Sequence, residues 1–198
     1  MEKEHKEKSL PFYLPFELRK MGFKSLGKTI VISRKCSIHH PERISIGNNV
    51  RIDDFCVLSA NEEIILGNYI HLNCYSALYA TSKIVMEDFS GLSSYVALYT
   101  ESDDYSGESL TNPTVPKEYR PKLYAGPIIM MKHTIVGTHS CILPNVVIET
   151  GTAIGAHSLV KENCDPWSIY VGCPARKKGE RKKDLLQLEA KFFSCREP

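Results

Sequence analysis

Two adjacent carboxylates, Asp103 and Asp104, stand near the start of a long segment that contains no histidine. An ordinary aspartate has a pKa of about 3.9 and is therefore a weak base for an alcohol. A neutral amine is a better nucleophile and needs only a modest proton acceptor. The charge of Asp104 would raise the pKa of Asp103, or Asp104 would instead cap a turn. The pair is a candidate for acid–base chemistry, which would suit an amine better than an alcohol.

Three histidines, His133, His139 and His157, are separated by six and then eighteen residues. Imidazoles bind zinc, and a catalytic zinc takes about three protein ligands at one point. A metal site is therefore an alternative to acid–base chemistry. Cysteine nucleophiles are a weaker alternative, because no cysteine has a recognisable histidine partner in the sequence.

A six-residue repeat in the sequence predicts the secondary structure that carries these residues. Hexads that begin at Val136, Ile142, Ile148 and Ile154 open with an aliphatic residue, and a small or β-branched residue follows four places later. Residues four apart share a face of a strand, whereas residues six apart would scatter around a helix. The pattern predicts an all-β solenoid of parallel strands, three to a coil. Earlier aliphatic residues hold the same phase: Ile46, Ile52, Leu58, Leu66, Leu72, Leu78, Met86, Leu92 and Leu98.

The repeat also places the histidines. His139 and His157 differ by one coil, so they are predicted to lie on the same side, about 4.8 Å apart. His133 lies six residues before His139 and falls on an adjacent side of the coil. Three ligands therefore do not converge, and no metal is expected.

The hexads stop between residues 100 and 127. This segment carries glycine, charged residues, Tyr105 and three prolines, Pro113, Pro116 and Pro121, which argue against another coil. A long loop inside a regular solenoid is usually either functional or disordered. The tyrosines and Leu110 of this loop give it groups to pack with, which favours a functional loop. The earlier coils are 20 residues long rather than 18, and residues 61–63 are the predicted site of the first insertion.

Composition indicates one compact domain of 198 residues, 42% of them hydrophobic. The net charge of +2 gives no reason to expect nucleic acid as a partner. Seven cysteines without a Cys-x-x-Cys pair predict reduced thiols and a cytoplasmic protein. No segment approaches membrane-spanning length, so no membrane insertion is expected.

Three segments are predicted: a cap over residues 1–29, the solenoid over residues 30–179, and a helix over residues 180–198. Pro15 is placed to begin a short helix in the cap. Near the other end, Leu185, Leu188 and Phe192 follow helical spacing. A covering helix would protect the open strand edges of a solenoid, and a partner-binding helix is the alternative.

The hexads, the interrupting loop and the closing sequence Trp-Ser-Ile-Tyr-Val-Gly-Cys-Pro-Ala-Arg (residues 167–176) resemble the left-handed parallel β-helix acyltransferases. The resemblance covers roughly residues 30–180 of the chain. Within this hexapeptide-repeat family, the loop sequences Ser-Asp-Asp-Tyr-Ser-Gly and Leu-Thr-Asn-Pro-Thr are similar to those of bacterial enzymes that acylate a dTDP-4-amino-4,6-dideoxy sugar for surface polysaccharide.

The resemblance implies a homotrimer with acetyl-CoA in the groove between neighbouring β-helices. The sugar or nucleotide-sugar acceptor is held partly by the loop of the neighbour. Residues at matching positions are implied to bind these molecules. Thr138 and Ala156 would contact the pantetheine arm, and Asn73 would contact the acceptor. Arg176 would lie near the nucleotide phosphates, together with the less closely matched Lys161. Lys161 is equally explained as a solvated charge. Tyr105 is a further candidate for acceptor binding.

One departure from the family affects the chemistry. The family places a catalytic histidine at the start of the loop, and Asp103 occupies that position here. The difference favours transfer to an amine, by direct attack on the thioester and with a backbone N–H at a coil corner as the oxyanion donor. Three alternatives stay open: a galactoside-type O-acetyltransferase, a metal-dependent enzyme of the β-helical carbonic anhydrase type, and a scaffold that binds no CoA.

Overall fold

Three parallel sheets form the sides of the solenoid. The structure, a computed structural model, describes residues 11–194. Sheet 1 contains the strands Ser25–Leu26, Ile44–Ile46, Ile64–Leu66, Ile84–Met86, Ile128–Met130 and Val146–Ile148. Sheet 2 contains Ile30–Ile32, Val50–Ile52, His71–Leu72, Gly91–Leu92, Ile135–Val136, Ala153–Ile154, Ser168–Val171 and the antiparallel Arg176–Glu180. Sheet 3 contains Ser37–His39, Val57–Ala60, Ala77–Ala80, Ala97–Tyr99, Cys141–Ile142 and Leu159–Val160.

Equivalent residues of successive coils stack in register and form the core. Met86, for example, lies between Leu66 on one side and Met130 on the other. The predicted inward aliphatic residues are all buried, and each contributes about 1.5–3 kcal/mol relative to exposure. The predicted all-β parallel β-helix is therefore confirmed. The buried set includes Ile46, Ile52, Leu58, Leu66, Leu72, Leu78, Met86, Leu92, Leu98, Val136, Ile142, Ile148 and Ile154.

Three corners join the sheets, and we name each by the sheets it connects. Corner 1–2 carries stacked rings of Tyr69, Phe89 and His133, and corner 2–3 carries a second ring stack. The ring-bearing residues adopt positive φ, a conformation that is uncommon for residues other than glycine. Corner 3–1 takes the extra residues, since residues 61–63 lie there between sheets 3 and 1.

The long loop also leaves the solenoid at corner 3–1. The chain departs after Tyr99 and resumes sheet 1 at Ile128, which agrees with the predicted interruption. Its base is an antiparallel hairpin of Glu101–Asp103 with Leu123–Ala125, and the 3₁₀ helix Lys117–Tyr119 lies between them. A second 3₁₀ helix, Pro41–Arg43, occupies the same corner near the start of the chain.

A helix lies near each end of the described chain. Helix α1, Pro15–Lys20, begins at the predicted proline and buries Leu18. Helix α2, Leu185–Ser194, packs Phe192 and Phe193 edge-on against the rings of corner 1–2. The predicted cap and terminal helix extend into residues 1–10 and 195–198, which lie outside the described residues. Between residues 11 and 194, no helix is both long and apolar enough to cross a membrane.

Candidate active site

Corner 2–3 brings together three of the predicted binding residues. Pairing of Leu72 with Leu92, and of Val136 with Ile154, sets the residues that follow into columns along the axis. The first column contains Asp53, Asn73, Ser93, Gly137 and Gly155. The second contains Asp54, Cys74, Ser94, Thr138 and Ala156. Asn73, Thr138 and Ala156 thus lie along one edge of the prism.

Close backbone packing shapes this edge. A Cβ atom added to Gly137 would lie 2.5 Å from the backbone nitrogen of Ala156, so only glycine fits there. The Thr138 hydroxyl donates a hydrogen bond of 2.6 Å to the carbonyl oxygen of Ser94 in the preceding coil. Thr138 therefore fixes the distance between coils, while Ala156 is exposed.

Several backbone N–H groups of corner 2–3 have no protein acceptor and are available to a ligand. Within residues 11–194, the N–H groups of Ser94, Thr138 and Ala156 donate to no protein atom. These residues succeed one another in a single column, one coil apart. A stack of unpaired N–H groups suits an extended chain of amides or a developing oxyanion.

A ladder of stacked rings flanks these columns. It contains Phe55, Tyr75, Tyr95, His139 and His157, with centroids 4.6–5.0 Å apart. The predicted adjacency of His139 and His157 is thus confirmed, and His133 lies on corner 1–2 instead. Among the described residues, no three histidine, cysteine, aspartate or glutamate side chains form a group that could hold a metal ion.

Asn73 uses one half of its amide locally. Its Oδ1 atom accepts a hydrogen bond of 2.8 Å from the backbone N–H of Cys74, which fixes the side chain. Its Nδ2 group donates to no protein atom in the described part of the chain. Asn73 therefore offers both donors of its Nδ2 group to a ligand.

The loop carboxylates have different partners. Asp104 accepts hydrogen bonds from the N–H and hydroxyl of Ser106, and these keep its pKa below the ordinary value. Its second oxygen accepts a hydrogen bond of 2.9 Å from the N–H of Glu108. Asp104 therefore caps a turn, which was the alternative to an effect on the pKa of Asp103. Asp103 accepts from the N–H of Asn112 at 3.2 Å and lies 4.0 Å from Arg120.

Asp103, Asp104 and Tyr105 line one shallow cleft on the loop. Tyr105 is 94% exposed, so its ring packs little against the described residues. The loop starts at corner 3–1, so these residues arise from a different edge than Asn73, Thr138 and Ala156. One chain therefore presents two separate groups of predicted site residues.

Lys161 and Arg176 flank a small cleft near the C-terminal end of the prism. Their charged groups lie 3.9 and 3.7 Å from the carboxylate of Glu162. Arg176 pairs with Val171, which packs over Gly155 at the end of corner 2–3. Both side chains are largely exposed, so their attraction to Glu162 is weak in water.

Sequence reasoning missed a histidine–carboxylate pair beside Asn73. His71 lies on sheet 2, and its Nε2 atom is 2.6 Å from Oδ2 of Asp53. Arg51 donates from Nε to the other oxygen of Asp53 at 2.7 Å. Burial opposes the charge of Asp53, but hydrogen bonds from His71 and Arg51 outweigh it and lower the pKa. The coil length of 20 residues placed these positions side by side and was the available signal.

Cys141 and Cys164 show no sign of activation, whereas a hydrogen bond with the Cys56 thiol lowers the pKa of Cys36. Burial raises the pKa of the Cys141 thiol, and it raises that of Cys164 to about 12. All six cysteines of the described residues are unpaired. A nucleophilic role for Cys141 or Cys164 is therefore disfavoured, because the thiolate is the reactive form.

The solenoid and its small-residue corner define a class of protein, which sequence comparison establishes. No family model matches the chain. The chain is 45% identical to the dTDP-4-amino-4,6-dideoxy-D-glucose acyltransferase of Escherichia coli over 177 residues, which are 89% of this chain and 92% of that enzyme. The chain therefore belongs to the hexapeptide-repeat acyltransferases and is an acyltransferase.

The chain is also similar to solved structures of acyltransferases. An aspartate-to-asparagine variant of AntD, an N-acyltransferase from Bacillus cereus, was solved with dTDP and coenzyme A. It is 48% identical to this chain, with a TM-score of 0.91, and the match covers 94% of this chain and all of AntD. A hexapeptide-repeat acetyltransferase from Vibrio cholerae shares the fold at a TM-score of 0.59 and 17% identity.

Proposed function

We propose that this protein transfers an acetyl group from acetyl-CoA to the amine of a nucleotide-linked amino sugar, of the dTDP-4-amino-4,6-dideoxyglucose type. The main support for this proposal is the sequence similarity to N-acyltransferases of such sugars over nearly the whole chain. An AntD variant was solved with dTDP-4-amino-4,6-dideoxyglucose and coenzyme A, which supports the acceptor class.

Corner 2–3 fits the thioester substrate. The unpaired N–H groups of Ser94, Thr138 and Ala156 are spaced one coil apart, so they match the amides of a pantetheine arm laid along the axis. Arg176 lies near the C-terminal end of this edge and would meet the phosphates. The thioester would then lie toward Ser94 and Asn73, where a backbone N–H stabilises the oxyanion. Lys161 is the outer companion of Arg176.

The separation of loop and corner favours a homotrimer. Asp103, Asp104 and Tyr105 arise from corner 3–1, whereas Asn73 and the pantetheine column occupy corner 2–3. A site that uses both groups needs two copies of the chain, with the loop of one reaching the corner of the next. Such an arrangement also gives the exposed Tyr105 ring an acceptor to contact.

Asp103 is proposed to contact the acceptor amine. AntD was studied with substitutions at a serine and an aspartate ten positions apart. Ser93 and Asp103 have this separation here, as do Ser94 and Asp104. The Asn112 N–H donates a hydrogen bond to Asp103, and Arg120 lies 4.0 Å away, so the side chain has a defined position. A carboxylate held this way accepts a hydrogen bond from the amine and orients its lone pair.

The biological setting is proposed as surface polysaccharide synthesis in the cytoplasm. Six unpaired cysteines in the described region agree with a reducing compartment. The acceptor class belongs to the nucleotide sugars from which bacteria assemble surface polysaccharides.

A panel of acceptors tests the function. Purified protein is mixed with acetyl-CoA and dTDP-4-amino-4,6-dideoxyglucose, and thiol release is followed. Matched reactions contain the corresponding dTDP-6-deoxy sugar with a hydroxyl in place of the amine, or a simple galactoside. We expect release with the amine alone. Release with the hydroxyl sugars and none with the amine would overturn N-acylation.

A further inference from the structure

A histidine on the outer face of sheet 2 is available for proton transfer. We propose that His71, oriented by Asp53, is a catalytic residue that takes the proton from the acceptor amine. The inference rests on the proposed function and adds to it the residue that carries the proton. The loop contains no histidine, and its carboxylates at residues Asp103 and Asp104 already accept hydrogen bonds from loop N–H groups.

The partner of His71 fixes its tautomer. The Asp53 side chain is only 12% exposed and is bound from one side by Arg51. An ionised carboxylate only accepts hydrogen bonds, so Nε2 of His71 must donate to it. The remaining nitrogen, Nδ1, then carries the lone pair. Among residues 11–194, no protein group occupies Nδ1.

The position of His71 suits an acceptor-binding role. It lies two residues before Asn73, and both project outward because strand residues two apart share a face. The side chain is 47% exposed, so a substrate can reach it. It also borders a cleft of about 540 Å³ between sheet 2 and helix α2, which offers room for a sugar nucleotide.

Gly91 keeps the space beside His71 open. It pairs with His71 in the next coil, and a Cβ atom added there would make only an ordinary contact at 3.5 Å. Backbone geometry therefore does not require glycine at this position. The missing side chain instead widens the cleft next to the imidazole.

The other charged groups around this cleft have protein partners. Arg181 donates to the carbonyl oxygens of His133 and Gly151, at 2.7 and 2.9 Å. Glu189 pairs with Lys132 and with Nε2 of His133, so α2 is fastened to corner 1–2. His133 is only 7% exposed, so His71 is the accessible imidazole of the cleft.

The proton and electrons balance without a further reactant. The nitrogen lone pair of the neutral amine attacks the thioester carbon, and a C–N bond forms. Nδ1 of His71 takes one proton from that nitrogen. The C–S bond then breaks, its electron pair leaves with sulfur, and the imidazolium returns the proton as CoA thiol. The imidazole orientation by a carboxylate follows the logic of catalytic triads.

The test replaces His71 by Asn and, as a matched control, His40 by Asn. His40 is an exposed histidine paired with Glu42 on corner 3–1. With acetyl-CoA and dTDP-4-amino-4,6-dideoxyglucose, we expect His71→Asn to lower kcat by about 100-fold or more. KM for acetyl-CoA should stay constant, and His40→Asn should behave as wild type. Activity of His71→Asn within threefold of wild type would overturn the proposal.

The pH profile separates catalysis from a structural role. At low pH, log kcat/KM of the wild type should rise with a slope of about two, because amine and imidazole must both lose a proton. The slope for His71→Asn should fall to about one. A slope of one in the wild type would also refute the proposal, whatever the stability of the variant. Absence of turnover by wild type would instead refute the proposed function.

A second variant tests the cleft without touching His71. Gly91→Ala should be nearly neutral, whereas Gly91→Phe should raise KM for the sugar nucleotide by about tenfold, since its ring fills the space beside the imidazole. Binding of acetyl-CoA should not change in either variant. An unchanged KM for the sugar nucleotide in a folded Gly91→Phe protein would contradict the placement of the acceptor.

Discussion

Corner 2–3 and the loop differ in how their residues are held. At the corner, each residue is bracketed by equivalent residues one coil away, and coils approach closely enough to require glycine at residue 137. In the loop, the carboxylates are held by hydrogen bonds from other loop residues, two positions away for Asp104 and nine for Asp103, and Tyr105 is almost fully exposed. The corner is therefore a prebuilt binding edge, whereas the loop needs a partner surface.

The largest expected effect comes from disturbing the corner. Gly137→Val would push a side chain against the backbone of Ala156. We expect a loss of about 1–3 kcal/mol in the free energy of unfolding. The displaced corner should also lower kcat/KM by about 100-fold. Urea unfolding and CoA-release kinetics measure the two effects. Gly179→Ala, where nothing lies within 4 Å, is the control and should be neutral in both.

In the loop, a substitution should change activity but not stability. Asp103→Asn removes the charge while keeping the shape, and we expect kcat to fall about 10–100-fold, the worth of a charge-assisted hydrogen bond. The unfolding midpoint and the affinity for CoA should match the wild type. Equal turnover by the variant and the wild type would remove Asp103 from the mechanism.

Thr138 tests whether the corner works through its spacing. Thr138→Val loses the hydrogen bond to the Ser94 carbonyl, a net contribution of about 1 kcal/mol. We expect KM for acetyl-CoA to rise about fivefold with kcat little changed. Thr138→Ser keeps the hydroxyl and should restore the wild-type value. If serine fails to restore KM, the methyl group rather than the hydrogen bond carries the effect.

Asp104 makes the order of the loop depend on pH. Its pKa is lowered in the folded loop, chiefly by the hydrogen bond from Ser106. The carboxylate therefore supports the loop fully above its unfolded value of about 3.9, and the support is lost as pH falls through the lower folded value. Hydrogen exchange of the Ser106 and Glu108 amides should accelerate there. Asp104→Asn should remove this pH dependence, and its persistence would point to another group.

The smallest effect is expected at the exposed cations. Arg176→Ala should raise KM for acetyl-CoA about two- to fivefold at low salt, because an exposed pair contributes at most about 1 kcal/mol. The difference should shrink at high ionic strength. Lys161→Ala should have a smaller effect still. A larger effect from Lys161 would reverse the proposed order of the two residues.

The coil pattern was predictable because each hexad repeats the same burial rule. Leu66, Met86 and Met130 keep their phase over many coils, so the core and the start of the loop at residue 100 followed from periodicity alone. The fold of the loop did not follow, since its hydrogen bonds depend on local turns such as the one capped by Asp104. Those turns have no repeat that confirms them.

Part of the candidate site could not be predicted from the six-residue period either. Contacts across coils, such as His71 with Asp53 and Thr138 with Ser94, join residues 18 and 44 apart in the chain. The first separation is close to one coil, but the second spans the inserted loop. Only the strand register reveals that these residues are neighbours.

The corner of one chain and the loop of another are proposed to form a single site, and mixing two defective chains is the decisive experiment. Ala156→Phe blocks the corner, Asp103→Ala disables the loop, and each protein alone should be nearly inactive. If the two are co-expressed and assemble at random, about a quarter of the sites should combine an intact corner with an intact loop. We therefore expect about a quarter of the wild-type activity. If assemblies that are shown to contain both variants recover no activity, the shared site is wrong.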